Sequence, residues 1–259
     1  MKATLSKTTR AVLLGAIAFV PLLSQPLAAQ APTSTEPMGQ KFADPKPAKA
    51  LRVLLVGSGS SHDFPKFFLG TDEATLKAAG MDVAATPNLA EALALLPQAD
   101  VLVFSGNHDQ YGKDEFQKAL NDFADKGKGL VFLHAATWVH SGWKGYSERF
   151  INGQTPGHKA YGDVTVTVKD DKSPVMKGVP ATFTFKEENY RSEFNNKSKA
   201  DVLAENSPDD KNTVHPSVWI VKDPKTRIVC MTLGHDGAAH DSTAYKTILT
   251  NSVNWVAGR

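Results

Sequence analysis

The sequence predicts an α/β fold: a mostly parallel sheet covered by helices, with a mixed extension in its later half. Three features carry that prediction. Short apolar runs alternate with helix-spaced segments from Leu51 to Leu133, the rhythm of parallel strands joined by crossover helices. From Val164 the apolar residues alternate with polar ones, as in strands with one solvated face. Histidines recur where apolar runs stop, at the strand ends where open α/β sheets place their ligands.

The elements follow in order. Leu51 to Val56 is apolar apart from Arg52 and runs into Gly57-Ser58-Gly59-Ser60-Ser61, so it reads as a buried strand entering a loop. Phe64 to Ala79 carries helical spacing and stops at Gly80, a residue suited to a helix C-terminus. Met81 to Ala85 is a second strand, and Asn88 caps a helix over Leu89 to Leu96. Val101 to Phe104 is the third strand, followed by a loop from Ser105 to Gly112. Asp114 to Lys126 is amphipathic and ends at Gly127, and Leu130 to Leu133 is the fourth strand. Val164 to Val168 and Thr182 to Phe185 alternate with period two, while Val218 to Val221 and Ile228 to Leu233 are apolar strands. A closing helix over Ser242 to Val256 turns Tyr245, Ile248, Leu249 and Val256 to one side.

Ahead of this domain the chain reads differently. Lys2, Lys7 and Arg10 precede an apolar run from Ala11 to Leu23, and small residues follow around Ala28, Ala29 and Ala31. That order of zones describes a cleavable secretory signal over residues 1–29, cut near Ala29 or Ala31. The run falls short of the ~20 residues a membrane span needs, so a periplasmic or secreted product without stable membrane insertion is expected. Residues 30–50 hold Pro32, Pro37, Pro45 and Pro47 and lack apolar periodicity; they read as a flexible linker. Residues 51–259 then form one domain, ample for a single core.

Whole, the chain carries 29 basic and 27 acidic residues. Removing the three basic residues of the signal leaves 26 against 27, a net charge of −1, with no basic stripe to suggest nucleic acid. Cys230 stands alone, so no internal disulfide forms, and its apolar strand suggests packing rather than thiolate chemistry.

Four of the eight histidines fall at predicted strand ends: His62 after the first strand, His108 after the third, His134 ending the fourth and His235 ending the run from Met231. Each keeps a structural reading. His62-Asp63 can simply open a helix, with Asp63 near its positive end, and His108-Asp109 sits in a polar turn. His134, between apolar Leu133 and Ala135, is either hydrogen-bonded in the core or aimed into a crevice, and His235-Asp236 is similar. His158 lies in a Gly/Pro loop able to fold back over the crevice, and Glu187, Glu188 and Tyr190 end a strand where they can bind hydroxyls or a cation, or face solvent. His140, His215 and His240 read as solvent or packing residues.

Familiar signatures are missing. The glycine loop lacks the third glycine of a dinucleotide site and the Gly-Lys-Ser/Thr of a phosphate loop, so no nucleotide cofactor is expected. There is no Gly-x-Ser-x-Gly elbow and no His-Glu-x-x-His helix.

Six segments in order, Gly129 to Ala136, Gly157-His158, Glu188-Asn189-Tyr190, Pro216 to Trp219, Leu233 to Asp236 and Asn254 to Arg259, resemble the ThuA-like (trehalose-utilisation) family. The resemblance covers Leu51 to Arg259 and implies a flavodoxin-like sheet of the class I glutamine amidotransferase type. In amidotransferases the fourth-strand turn carries a cysteine nucleophile; here that position looks like His134, so glutamine hydrolysis by a thiolate is not available. The family's usual Asp-Glu-Leu-Tyr stands here as Glu187-Glu188-Asn189-Tyr190.

The resemblance implies carbohydrate metabolism beside sugar oxidoreductases that make 3-keto sugars. Suitable chemistry is proton abstraction beside a ketone or elimination across a keto-glycoside, by histidine acid–base catalysis with a divalent, zinc-like metal polarising the carbonyl. His134, His235 and Asp236 are the expected catalytic residues. His62, Asp63, His108, Tyr190 and Trp138 are expected to bind substrate, and His134, His158, Glu188 and His235 to hold metal. The alternatives are a non-catalytic carbohydrate-binding or scaffold protein on a degenerate amidotransferase-like fold, and a hydrolase using Ser58, Ser60 or Ser61.

Overall fold

A computed structural model of the chain describes residues 39–138 and 143–259. The expected signal segment, most of the first half of the expected linker, and His140 lie outside the described residues.

Alternating sequence becomes alternating structure. In chain order the elements are β1 (Arg52–Val56), a π-helical turn over Phe67–Thr71 leading into α1 (Asp72–Ala78), β2 (Asp82–Thr86), α2 (Leu89–Leu95), β3 (Val101–Phe104), α3 (Asp114–Asp125) and β4 (Gly129–Leu133). Then come β5 (Gly153–Gln154), β6 (Gly162–Val168), β7 (Thr182–Glu187), β8 (Glu193–Phe194), β9 (Ala200–Asn206), β10 (Pro216–Lys222), β11 (Arg227–Met231), α4 (Gly237–His240) and α5 (Thr243–Val256).

One sheet of nine strands runs β2-β1-β3-β4-β11-β10-β9-β6-β7. The first five are mutually parallel and the last four join antiparallel, the mixed extension that the period change predicts. Strand residues alternate between two cores. Val53, Leu55, Val103, Val131 and Val229 pack toward Leu76 of α1 and Ile248, Leu249 and Val253 of α5. Leu54, Leu102, Phe104, Leu130 and Phe132 pack toward Leu89 of α2 and Phe116, Leu120 and Phe123 of α3. Each large apolar side chain so enclosed contributes roughly 2 kcal/mol.

Local signals hold where they are strongest. The Asn88 side chain accepts the Glu91 N–H at 3.2 Å and caps α2. The helix expected from Phe64 opens instead as a π turn, with Leu69 N–H bonding Phe64 O and Thr71 N–H bonding Lys66 O; the wide turn buries both Phe68 and Asp72. β9 escapes sequence reading because Asp201 and Glu205 interrupt its apolar residues, and it is held by pairing with β10 and β6.

The expected linker needs correction. Gln40 exchanges two backbone hydrogen bonds with Ala85 on the outer edge of β2, at 2.8 and 3.0 Å. Phe42 is buried, the Arg52 guanidinium lies over its ring, and the Ala43 N–H bonds Asp82. From about residue 39 the chain is therefore attached, covering an otherwise open strand edge. Proline-rich composition hid that single anchoring aromatic.

Candidate metal and substrate site

The parallel strands deliver β1, β3, β4 and β11 to one end of the sheet, and the histidines that follow β1, β4 and β11 converge there. The rings of His62 and His134 are 4.6 Å apart, those of His62 and His235 4.8 Å, and those of His134 and His235 5.7 Å. Glu188 arrives from the end of β7. One ligand atom each from His62, His134, Glu188 and His235 lies within 4.8 Å of all the others.

His134 leaves β4 in the left-handed region, at φ 41°, a conformation costly for a residue with a Cβ and retained where surroundings enforce it. Its Nδ1 lies 2.6 Å from the Thr232 carbonyl. A carbonyl only accepts, so Nδ1 carries the proton and Nε2 presents a lone pair. That Nε2 faces the Tyr190 hydroxyl at 3.1 Å and Glu188 Oε2 at 3.5 Å. A backbone carbonyl fixing one imidazole nitrogen so that the other points at a shared centre is the usual support of a metal-ligating histidine.

Glu188 is surrounded by imidazoles. Its Oε2 is 3.2 Å from His235 Nδ1, and its Oε1 is 3.5 Å from His158 Nδ1. Burial works to raise its pKa, but the adjacent imidazoles of His134 and His235 outweigh it and hold it well below the ordinary carboxylate range. Reciprocally, Glu188 raises His235, against the effect of burial. His62 is pushed down to about 3 by burial first and by the neighbouring histidines His134 and His235 second, which keeps its imidazole neutral. The Nδ1 atoms of His62 and His235 are buried and lack an aligned hydrogen-bond partner. Unsatisfied buried nitrogens beside a carboxylate are donors set for a cation. Three imidazoles and one carboxylate suit a divalent transition metal such as zinc better than magnesium or calcium.

Above this cluster lies a cleft of about 220 Å³, lined by Ser61, His62, Asn107, Ala135, Trp138, His158, Glu188 and Tyr190. Trp138, 36% exposed, packs edge-on to both His158 and Tyr190. Asn107 and Ser61 are hydrogen-bonded to each other at 2.9 Å and offer polar groups at the mouth.

Four expected site residues stand outside the cluster. His158 lies at the rim, its Nδ1 2.9 Å from Lys159 O, and it is His62 that completes the four-residue cluster. His108 accepts the Gln110 N–H and starts a 3₁₀ turn, and Asp63 accepts the Lys66 N–H; both act on local backbone and neither lines the cleft. Asp236 caps α4 through the Ala238 N–H and accepts the Tyr161 hydroxyl at 2.6 Å, so it stands behind His235 and outside the cluster. His215, expected as a solvent or packing residue, is buried against Asp209 and Ser192 O.

Sequence reasoning passed over Tyr161, whose ring is 4.9 Å from His235, and the depth of Glu187's role. Glu187 accepts N–H groups from Gly234, His235 and Glu188 at 2.7, 3.2 and 2.8 Å, tying together the two loops that carry His235 and Glu188. The adjacent acidic pair at a strand end was the available signal. Asn189, where the family pattern has Leu, is buried with its amide donating to Ser207 O.

The trehalose-utilisation family model matches residues 52–256, nearly the whole described domain. The chain belongs to the ThuA family. Among solved structures, a ThuA-like protein from Parabacteroides merdae is 19% identical with a TM-score of 0.68, covering 81% of this chain and 90% of that one. A second ThuA-like protein, from Bacteroides uniformis, is 20% identical with a TM-score of 0.67, covering 83% and 95%. A GMP synthase component from Thermoplasma acidophilum is 17% identical with a TM-score of 0.53, covering 81% and 95%, which places the ThuA fold beside the class I amidotransferases. No curated protein matches the sequence significantly. In this ThuA domain the turn after β4 carries His134, while Cys230 is buried in β11.

Proposed function

We propose that this ThuA-family chain is an exported enzyme of carbohydrate metabolism. In this reading it acts on oxidised, 3-keto sugars or glycosides by acid–base isomerisation or elimination. The observation that carries the reading is the cluster of His62, His134, Glu188 and His235 beneath a cleft of about 220 Å³, room for roughly one sugar ring.

A divalent, zinc-like metal held by these four residues would polarise a ketone oxygen and acidify the neighbouring C–H. His158 supplies a base at the rim: its Nδ1 proton goes to Lys159 O, leaving Nε2 to take the proton. Tyr190 and Asn107 position sugar hydroxyls, and Trp138 gives the cleft an aromatic wall. A sugar oxidoreductase in the same compartment would supply the keto substrate, and the amino-terminal segment supports a periplasmic or secreted location.

The test is elemental analysis of purified protein together with turnover of 3-keto-glucosides. Near-stoichiometric zinc or a similar metal, and activity lost in His134→Ala and Glu188→Gln along with the metal, are expected. Sugar binding by protein that neither holds metal nor turns over a 3-keto sugar would establish a binding protein instead.

A further inference from the structure

Behind the cluster lies a second group of polar side chains that the proposed chemistry does not use. Asp72 of α1 and His240 of α4 are fully buried, 168 residues apart in sequence. His240 Nδ1 is 2.7 Å from Asp72 Oδ1, and the Tyr245 hydroxyl donates to Asp72 Oδ2 at 3.1 Å. The other ring nitrogen, His240 Nε2, donates to the carbonyl of Gly234 at 3.1 Å. Sequence reading took His240 for a solvent or packing residue; it is the centre of a buried chain of hydrogen bonds.

Gly234 is the residue immediately before His235. It adopts φ 120°, and a Cβ there would meet Tyr245 and His240 atoms at 3.2 to 3.3 Å, so the backbone is pressed directly onto this pair. Its N–H is held from the other side by Glu187 Oε2 at 2.7 Å. The residue that presents His235 is thus gripped at its donor by one buried carboxylate and at its acceptor by a buried histidine. His240 is itself boxed by Phe67, stacked at 5.6 Å, and Phe68, edge-on at 4.6 Å, which removes the ring's freedom to turn away. Burying an aspartate and a histidine is costly unless both are fully hydrogen-bonded, and here every polar ring and carboxylate atom has a partner.

We infer that Asp72 and His240 are positioning residues that fix the Gly234 carbonyl and so hold the His235 ring at the metal cluster. This rests on the metal reading above for its consequence, but the clamp itself is a property of the metal-free protein. Loss of such outer support lowers metal affinity by roughly 10- to 100-fold in other sites.

Two amide variants separate the arms. In His240→Gln the side-chain amide stands where Nε2 was and keeps the bond to Gly234 O; in His240→Asn it stands where Nδ1 was and keeps only Asp72. Both lose one buried hydrogen bond, so a merely structural role lowers their melting temperatures and cobalt(II) affinities alike. Positioning predicts that Asn weakens cobalt(II) binding about 10- to 100-fold and alters its visible spectrum, while Gln stays within about three-fold of wild type.

Amide hydrogen exchange at Gly234 and His235 in metal-free protein gives the second readout: at least ten-fold faster in Asn, and only a few-fold faster in Gln, which keeps the Gly234 bond but loses Asp72. Should neither variant fold, Tyr245→Phe, which removes only the hydroxyl on Asp72, is expected to speed the same exchange several-fold. Equal exchange in both His240 variants, or in Tyr245→Phe and wild type, overturns the inference. Wild type that binds no cobalt(II) while the exchange pattern holds counts against the metal reading alone.

Discussion

Tyr190→Phe tests the site at a single hydroxyl. In the metal-free protein the Thr232 carbonyl fixes the Nδ1 proton of His134, so the lone pair on Nε2 is taken up by the Tyr190 O–H at 3.1 Å. Tyr190 is nearly buried, and burial first, then the Glu188 and Glu187 charges, raise its pKa, so the phenol remains a donor. A buried neutral hydrogen bond of this kind is worth about 1 kcal/mol. A cation that coordinates His134 Nε2 has to break it. Deleting the hydroxyl therefore destabilises the metal-free protein by about 1 kcal/mol and, by the same amount, tightens metal binding, about five-fold at 1.4 kcal/mol per decade. Turnover of a keto sugar should fall, because the freed hydroxyl no longer donates into the cleft. The assay is calorimetric titration of cobalt(II) into both proteins at one pH, with urea unfolding of the metal-free forms. Cobalt(II) binding ten-fold weaker in Tyr190→Phe would refute the reasoning and make the phenol part of the metal's own support.

Cys230 is fully buried in β11, with its thiol near Phe150 O and its pKa raised by burial. Cys230→Ala should cost about 1–2 kcal/mol through a small cavity yet keep metal binding and turnover in the folded protein; a folded variant without activity contradicts this. Asp100 carries a pH signature. Burial would raise its carboxyl, but bonds from Lys46, the Arg52 N–H and Lys128 outweigh it and lower it from 3.8 to about 2. A lowered folded pKa means the stabilisation is complete above pH 3.8 and fades as pH falls through about 2. Because Lys46 and Lys128 are solvent-accessible, screening reduces the contribution to about 1 kcal/mol. Urea unfolding of wild type and Asp100→Asn should differ by about that much at pH 7 and converge toward pH 2; a gap that does not narrow refutes the assignment.

Much of the fold is legible in the sequence because its causes are local. β3, β4 and, after Arg52, β1 are unbroken apolar stretches, α3 repeats its apolar residues at helical spacing, and Asn88 is a capping residue placed one position before α2. The rule that parallel strands bring their C-terminal ends to one edge was enough to gather His62, His134 and His235. Local pattern fails where long-range contacts decide. β9 exists because two neighbours complete its hydrogen bonds, and residues 39–50 are attached because Phe42 and Gln40 find partners on β1 and β2.

The site divides along the same line. Sequence alone places a histidine at a strand end; it does not say where the ring points. That direction is set by the left-handed backbone of His134, by the Thr232 carbonyl 98 residues away, and by Glu187 joining two distant loops. The same forces turned His108 toward its own backbone, left His158 at the rim, and brought Asp72 to His240 across most of the chain. Side-chain identity and strand boundaries are encoded residue by residue. Convergence depends on torsions and hydrogen bonds that exist only once the sheet has closed its register, and those belong to the tertiary structure.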